Sequence, residues 1–297
     1  MNFIKKKYYQ VYISLLKAIG ADAITISKAK YQYKNNKKLN LENPIEFTDK
    51  IQWLKFNYYT EKYGYLVDKY EVREFVAKTI GSKYLNGFIA VYDTVDAIDL
   101  NLLPNQFALK GTHGSGYNII VEDKSKLNWS QAKKQLQKYL NEDYSLTNGE
   151  TIYKAIKPRI LAEEYLNQQD DNYIVDYKFF CFHGETKYVW VKTFHDGKYR
   201  NCYYDLNWNK IENDSNKSSY LTLDMPKPEN LEEMIEISNK LSKEFIFVRV
   251  DLYSIKNKIY FGELTFFPWG GKQRLTVERL NKEFGGLITL PKNNILI

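Results

Sequence analysis

The segment FVRVDLYSIKNKIYFGELTFF, residues 247–267, constrains the fold more than any other part of the chain. It consists of two runs in which apolar and polar residues alternate, separated by a short polar stretch, and a period of two is typical of β-strands. The segment therefore predicts an antiparallel hairpin whose turn is the three residues Lys256-Asn257-Lys258. One face of this hairpin is expected to join a hydrophobic core, because it carries Val248, Val250, Leu252, Leu264 and Phe266.

The other face of the predicted hairpin brings two carboxylates together. In this register Asp251 lies opposite Glu263, and Arg249 lies opposite Thr265. Opposed Cβ atoms are roughly 4.5–5.5 Å apart, so two negative charges repel there unless a cation lies between them. Oxygen ligands on a rigid sheet suit Mg²⁺ bridged onward to substrate phosphates. The alternative is a solvated sheet face on which Arg249 neutralises Asp251, and a one-residue change of register would separate the pair.

A glycine-rich segment, FALKGTHGSGYNIIV (residues 107–121), lies between two strand-like runs. Its lysine, Lys110, precedes the glycines and no helix pattern follows them, so it is neither a Walker nor a Rossmann phosphate loop. Its three glycines give many exposed amides, which suit phosphate oxygens. The segment is either a flap that closes on phosphates, as in protein kinases, or an ordinary hairpin. The H-R-D and D-F-G motifs of protein kinases are absent from the sequence. We interpret His113 as a polar loop residue rather than a catalyst.

Along the chain, helices and strands follow one another without a strict βαβ alternation, which predicts an α+β fold with mostly antiparallel strands in two lobes. In VDKYEVREFVAKTIG the pattern predicts a helix with Asp68 as N-cap, Lys69 at the first helical position and Gly81 at its end. We expect a helical N-terminal region, a small lobe with the glycine loop and a large lobe with the carboxylate hairpin, at residues 1–62, 63–160 and 161–297.

Composition narrows the range of partners without identifying them. The 297 residues are 44% hydrophobic and 27% charged, which suits a soluble protein. The two cysteines suggest neither disulfides nor a metal site, so we expect a cytoplasmic protein. The net charge of +7 admits anionic partners, but A/T-rich codons also explain the many lysines and tyrosines, and we expect no nucleic-acid partner. The N-terminal helix after Lys5-Lys6-Lys7 is basic and amphipathic, and it either packs on the body or contacts the inner face of an anionic membrane.

Taken in order, these pieces resemble the ATP-grasp superfamily: lysine at a helix start, lysine before a glycine flap, an acidic hinge, then R-x-D and E-x-T on a late hairpin. They are most similar to the ATP-grasp proteins of teichuronopeptide and capsular polysaccharide clusters, which show similar DK, LKGTHGSGYN, AEEYL, DYKFFCF and GELTFFP segments. The resemblance covers about residues 45–285. It implies two α+β lobes that hold ATP and Mg²⁺ between them.

The resemblance also implies roles at the nucleotide end of the site. Lys69 and Lys110 would hold the α- and β-phosphates, and the flap would close over the β- and γ-phosphates through Gly114, Ser115 and Gly116. The adenine would meet a hinge made of Glu163, Glu164, Tyr165 and Leu166, a stretch that from the residues alone is equally a polar exit from a strand. The ribose would be bound by Asp170 or Asp171.

At the reacting end, the resemblance implies a cluster of cations around a metal. Lys178 is a candidate phosphate contact, although an exposed strand lysine is an equal interpretation, and Arg249 would act with Lys110 on the transferred phosphoryl group. Mg²⁺ would be bound by Asp251 and Glu263, with Thr265 standing where most ATP-grasp enzymes have Asn.

The implied activity is an ADP-forming carboxylate–amine ligase that acts through an acyl phosphate. Its amino donor would be an amino acid, and its acceptor the carboxylate of a uronic acid in a cell-surface glycan. The turn PWGGKQ, residues 268–273, is either part of the acceptor site or a simple turn after the strand. The alternatives are a glycosyltransferase, although the chain has no D-x-D motif, and a sugar kinase on the same scaffold. A non-catalytic binder would leave the carboxylate hairpin unexplained.

Overall fold

A computed structural model describes residues 3–166, 175–195, 197–213 and 219–291. The α-helices are α1 Phe3–Ala18, α2 Ala23–Asn35, α3 Phe47–Asn57, α4 Val72–Thr79, α5 Trp129–Asn141, α6 Tyr144–Asn148, α7 Leu231–Ser242 and α8 Glu278–Leu287. The strands are β1 Phe88–Tyr92, β2 Phe107–Gly111, β3 Asn118–Val121, β4 Ile160–Glu164, β5 Asp176–Phe182, β6 Glu185–His195, β7 Lys198–Tyr204, β8 Lys210–Ile211, β9 Phe247–Ile255 and β10 Lys258–Thr265. The fold is α+β, as predicted.

The strands form two antiparallel sheets, each with its own hydrophobic core. The first sheet has the order β1-β4-β2-β3 and packs against α5. The second has the order β10-β9-β5-β6-β7-β8 and packs against α7. Because β4 pairs with both β1 and β2, the first sheet continues to Glu164, a few residues beyond the expected division at residue 160. The division into three regions remains a proposal.

The N-terminal region contributes directly to the larger core. Every residue of α3 from Ile51 to Lys55 is buried, and α3 packs against α8. Phe47 makes edge-on ring contacts with Phe247 of β9 and Phe284 of α8, at centroid distances of 5.1 and 5.5 Å. This region is therefore part of the body that carries the second sheet.

The carboxylate hairpin reaches its predicted register by a different route from the one expected. The turn is the two residues Lys256 and Asn257, with φ of 51° and 60°, as a tight hairpin with right-twisted strands requires. A three-residue turn was therefore wrong, and the outer part of the hairpin is paired one residue away from the prediction. A bulge at Gly262 then shifts the register back, so that Asp251 does lie opposite Glu263.

The helix after the first lysine begins later than expected. Asp68 accepts hydrogen bonds from the backbone amides of Tyr70 and Glu71, at 2.7 and 2.9 Å, as a capping residue does. The regular α-helix nevertheless begins only at Val72. Lys69 therefore lies in the capping turn and not at the first helical position. Its side chain is aimed by that turn rather than by the helix.

Candidate active site

A row of functional side chains crosses the second sheet. Glu263, Asp251, Lys178, Trp190 and Tyr203 are successive cross-strand partners on β10, β9, β5, β6 and β7. Directly paired residues share one face of a sheet, so the order of the strands aligns two carboxylates, a lysine and two aromatic rings. Glu263, Asp251 and Lys178 were predicted from the sequence as site residues, whereas Trp190 and Tyr203 were not.

Asp251 is the most tightly bound member of the row. Arg249 donates to both of its oxygens, from Nε at 2.6 Å and from Nη2 at 2.7 Å, and Lys178 Nζ lies 2.5 Å from Oδ2. Burial alone would raise the pKa of Asp251, but the two cations outweigh it and hold the pKa below its ordinary value. The carboxylate therefore stays ionised at neutral pH.

Glu263 differs from Asp251 because it is accessible. Its side chain is 41% exposed, whereas that of Asp251 is 2% exposed. The Thr265 hydroxyl donates to Glu263 Oε1 at 2.6 Å and accepts from Arg249 Nη2 at 3.1 Å. Thr265 thus orients both the accessible carboxylate and the arginine.

The chemistry of these donors fits a magnesium ion. Asp251, Glu263 and Thr265 offer only oxygens, the ligands that Mg²⁺ prefers when substrate phosphates complete its shell. Asp176, which the sequence analysis missed, lies 3.3 Å from Lys178, and its Oδ1 is buried with no hydrogen-bond partner among the described residues. Those residues contain no group of three or more His, Cys, Asp or Glu that would hold a metal alone.

Three members of the row, Glu263, Lys178 and Trp190, line a cavity of about 370 Å³, and Asp251 is buried directly behind them. Its charged lining consists of Glu150, Lys178, Lys192, Arg249 and Glu263. Its aromatic lining consists of Tyr144, Tyr153, Trp190, Phe266, Phe267 and Trp269. Ser115 of the glycine loop reaches the same cavity, so the loop and the carboxylate hairpin face one space.

The glycine loop connects β2 to β3, with Ser115 and Gly116 exposed at its tip. Lys69 is brought to this loop: its Nζ donates to the carbonyl of Gly114, and its backbone amide donates to Thr112. Desolvation is the main cause that lowers the pKa of Lys69, and Lys110 adds to it. A side chain on Gly114 would meet the ring of Tyr117 at 2.6 Å, so the packing of this ring requires glycine there.

His113 has a structural role. It is buried, its Nε2 lies 2.9 Å from the carbonyl oxygen of Tyr139, and its ring packs edge-on against Tyr117. Burial lowers its pKa, which keeps the imidazole neutral.

The predicted hinge is held by ion pairs. The buried carboxylate of Glu163 lies 2.7 Å from Lys110 and 2.8 Å from Arg73, an arginine that the sequence analysis missed. Glu164 is exposed, and its backbone carbonyl accepts from Asn86 at 2.8 Å. Tyr165 and Leu166 follow at the strand's end, and Asp170 and Asp171 lie outside the described residues. Lys110, on which a phosphate role is predicted, is thus tied to the strand that leads into the hinge.

The turn after β10 has a strained backbone. Trp269, Gly270 and Gly271 have φ of 52°, 64° and 65°, and this conformation costs a residue with a large side chain about 1–3 kcal/mol. Such strain persists only where the surroundings enforce it.

Comparison with solved structures finds two D-alanine-D-alanine ligases and a synthase, all at low similarity. The D-alanine-D-alanine ligase of Helicobacter pylori is 15% identical (TM-score 0.41), with 77% of this chain and 59% of that chain covered. The enzyme of Bacillus anthracis is 16% identical (TM-score 0.43), with 81% and 72% covered. The N5-carboxyaminoimidazole synthase of Aspergillus clavatus is 11% identical (TM-score 0.39), with 68% and 44% covered. The chain thus spans less than two thirds of the length of the first and third of these proteins.

Sequence comparison gives a firmer result. No curated protein matches the chain. The family model described as TupA-like ATPgrasp matches residues 49–289, which include both sheets, the glycine loop and the carboxylate hairpin. Since this match covers most of the chain, the protein belongs to the TupA-like ATP-grasp family.

Proposed function

We propose that the protein is an ATP-dependent carboxylate–amine ligase, which joins an amino acid to a uronic acid of a capsular or teichuronic-type polysaccharide. The observation that carries the ligase proposal is the row from Glu263 through Asp251 to Lys178. Glu263, Lys178 and the neighbouring Arg249 line a cavity that the glycine loop also reaches. Phosphoryl transfer asks a protein mainly for positioning and for charge stabilisation. This cavity offers both.

Each cation has a distinct position in the proposed reaction. Lys69 and Lys110 lie on the side of the glycine loop and the hinge, where they would bind the phosphates that remain as ADP. Arg249 and Lys178 lie on the sheet, where they would stabilise charge on the phosphoryl group as it moves to the substrate carboxylate. Magnesium held by Asp251 and Glu263 would neutralise phosphate charge. The hydrogen bond from Arg249 to the Thr265 hydroxyl would keep the guanidinium directed at the transferred phosphoryl group.

The reaction class is tested by its products. We expect ADP and phosphate, not AMP and pyrophosphate, because the predicted flap serves the β- and γ-phosphates. We also expect ADP release to require a carboxylate substrate such as a glucuronide, and hydroxylamine to trap the acyl phosphate as a hydroxamate. Chromatography of the nucleotides together with a colorimetric hydroxamate assay measures both.

Other products would favour the alternatives. AMP would overturn the acyl-phosphate mechanism. ADP release with phosphate transferred to a hydroxyl, and without hydroxamate, would identify a sugar kinase. Turnover of a nucleotide sugar without ATP would identify a glycosyltransferase.

We also propose that α1 contacts the anionic surface of a membrane. This helix packs on the body through Ile13 and Leu16, and it carries four lysines and no acidic residue. On its other side and just past its end, five large apolar residues are exposed, namely Tyr8, Val11, Tyr12, Leu15 and Ile19. An apolar stripe beside lysines suits an interfacial helix and would bring the enzyme to a lipid-linked glycan. In the described part of the chain, no helix has the length and apolar character needed to cross a membrane.

Vesicle binding tests this contact. The protein should sediment with vesicles that contain phosphatidylglycerol and not with phosphatidylcholine alone, and the double variant Val11→Asp, Leu15→Asp should lose most of the binding. Leu102→Asp, at an exposed leucine far along the chain from α1, is the matched control. The proposal fails if the wild type ignores anionic vesicles. If the stripe instead buries itself in a second copy, the wild type will dimerise in solution and the double variant will not.

A further inference from the structure

The cavity has an aromatic corner next to its cations. The rings of Trp190 and Trp269 meet edge to face, with centroids 5.1 Å apart, and the guanidinium of Arg249 lies 5.8 Å from the Trp190 centroid. Lys192, two residues after Trp190 and on the same face of β6, also lines the cavity. An apolar wall and positive charge thus lie side by side.

The indole of Trp269 is fixed in this corner by the N-terminal region. Gln52 of α3 donates from Nε2 to the carbonyl oxygens of Gly270, at 3.1 Å, and Gly271, at 2.8 Å. Lys55, one turn further along α3, donates to the Gly270 carbonyl at 3.4 Å. Gln52 and Lys55 are both fully buried. Two polar side chains of a buried helix are therefore directed at the strained turn that carries Trp269.

A second clamp holds the far end of the same turn. Asn35, the last residue of α2, donates to the carbonyl of Lys272 at 2.8 Å, and its Oδ1 accepts from the backbone amide of Arg274 at 3.3 Å. Gly271 is packed closely, because a Cβ there would lie 3.1 Å from side-chain atoms of Gln52 and of Ile51. The left-handed conformation of Trp269 is thus enforced from two helices that lie outside the sheets.

The chemistry of the corner suits a sugar ring that carries a carboxylate. The face of a pyranose ring is apolar and packs on an indole, whereas a carboxylate on that ring requires a cation such as Arg249 or Lys192. We infer that the Trp190–Trp269 corner is the subsite for the sugar ring of the carboxylate substrate, and that Gln52 and Lys55 are positioning residues that hold Trp269 in it. This inference rests on the proposed function and adds to it where the sugar acid binds.

The test uses methyl β-D-glucuronide as the sugar acid and methyl β-D-glucoside as its neutral counterpart. In the wild type with a non-hydrolysable ATP analogue and Mg²⁺, the glucuronide should quench tryptophan fluorescence saturably and the glucoside much less. Trp269→Ala should remove most of the quenching and raise KM for the glucuronide on the order of tenfold, the scale of one lost aromatic contact. The kcat value and the affinity for ATP should stay within about threefold of the wild type. The aromatic wall contacts the sugar ring, so it stabilises the bound substrate and the transition state equally.

The positioning role of Gln52 is tested by removing only its hydrogen-bond donor, Nε2. Gln52→Met keeps the length of the side chain and loses both hydrogen bonds to the turn, so it should raise KM for the glucuronide in the same direction as Trp269→Ala. Gln137→Met, at an exposed glutamine of α5 bonded to Asn141, is the matched control and should leave KM unchanged. A purely structural role for Gln52 would lower stability without this selective rise in KM.

The outcomes separate the subsite from the proposed reaction. If the glucuronide quenches the wild type through Trp269 but ADP is never released, the subsite stands and the ligase reaction falls. If the wild type turns the glucuronide over and Trp269→Ala does so with an unchanged KM, the reaction stands and the subsite falls. If the wild type neither binds the glucuronide nor turns it over, the subsite and the ligase reaction are both overturned. Quenching by a free amino acid instead would assign the corner to the amino donor and overturn the sugar assignment.

Discussion

Glu263→Gln should abolish most Mg²⁺-dependent ADP formation while the protein stays folded. The side chain is accessible, and glutamine keeps its size and its ability to accept from the Thr265 hydroxyl, so little packing is lost. What is lost is one negative charge at the proposed metal and phosphate site. Removing a preorganised electrostatic contact at a reacting group costs on the order of 10²–10³ in rate. Steady-state kinetics at several Mg²⁺ concentrations, together with urea denaturation, measure the two effects separately.

Asp251→Asn tests the same site less cleanly. Asp251 is buried between Arg249 and Lys178, at distances of 2.5–2.7 Å. Asparagine would leave two cations near each other without their counter-charge, and breaking a buried ion pair costs about 3–5 kcal/mol of stability. We therefore expect this variant to lose both stability and activity, whereas Glu263→Gln loses activity alone.

A matched control separates the site from general surface charge. Glu185→Gln changes an exposed glutamate at the start of β6 on the same sheet, where it forms an exposed salt bridge with Lys187. It should be indistinguishable from the wild type in rate and stability. Near-normal turnover of Glu263→Gln would show that this carboxylate does not bind the metal.

The carboxylate hairpin shows what the alternation of apolar and polar residues can and cannot predict. Alternation correctly identified which side chains share the polar face, because side-chain direction in a strand depends only on the period of two. It did not reveal that the turn has two residues or that Gly262 forms a bulge. Gly262 is packed closely, since a Cβ at this position would lie 3.0 Å from the backbone oxygen of Asp251, and such contacts depend on twist and tertiary packing. The predicted pairing was right at the site although the predicted turn was wrong.

Residues that reach the site through strand order were harder to find. β5 lies between β9 and β6, so Lys178 pairs with Asp251 on one side and with Trp190 on the other. Lys178 entered the sequence analysis only through a resemblance, and Trp190 did not enter it. A local pattern shows which face a residue occupies but not which strand lies beside it, since strand order is a property of the whole fold.

Two polar residues in the buried helix α3 could have predicted a contact with the site. In α3 the residues Ile51 to Lys55 are all buried, so the helix has no solvent face and no apolar periodicity to interpret. A glutamine and a lysine in such a helix require hydrogen-bond partners, and Gln52 and Lys55 find them in the turn that follows β10. Burial also lowers the pKa of Lys55 to about 7, with Glu150 partly offsetting it.

Lys110→Ala should weaken ATP binding and reduce turnover on the order of 10²–10³, because a positioned cation at the phosphates is removed. The ion pairs of the hinge make this variant interpretable. Glu163 keeps Arg73 as a partner at 2.8 Å when Lys110 is gone, so its buried carboxylate is not left without a counter-charge. The fold should therefore survive, and isothermal titration with ATP should report the loss of the phosphate contact itself.

The control for Lys110→Ala is another lysine–carboxylate pair in the same part of the chain. Lys157 lies 2.7 Å from Asp93 but is exposed, and Lys157→Ala should change neither ATP affinity nor rate. If Lys110→Ala binds and turns over ATP like this control, the segment between β2 and β3 is an ordinary hairpin and Lys110 serves only to neutralise Glu163. If it loses affinity while its unfolding midpoint stays close to that of the control, the lysine acts on the nucleotide. The double variant Lys110→Ala, Glu163→Gln should then bind ATP no better than Lys110→Ala. The cause is the missing positive charge at the phosphates and not the carboxylate that has lost one of its two partners.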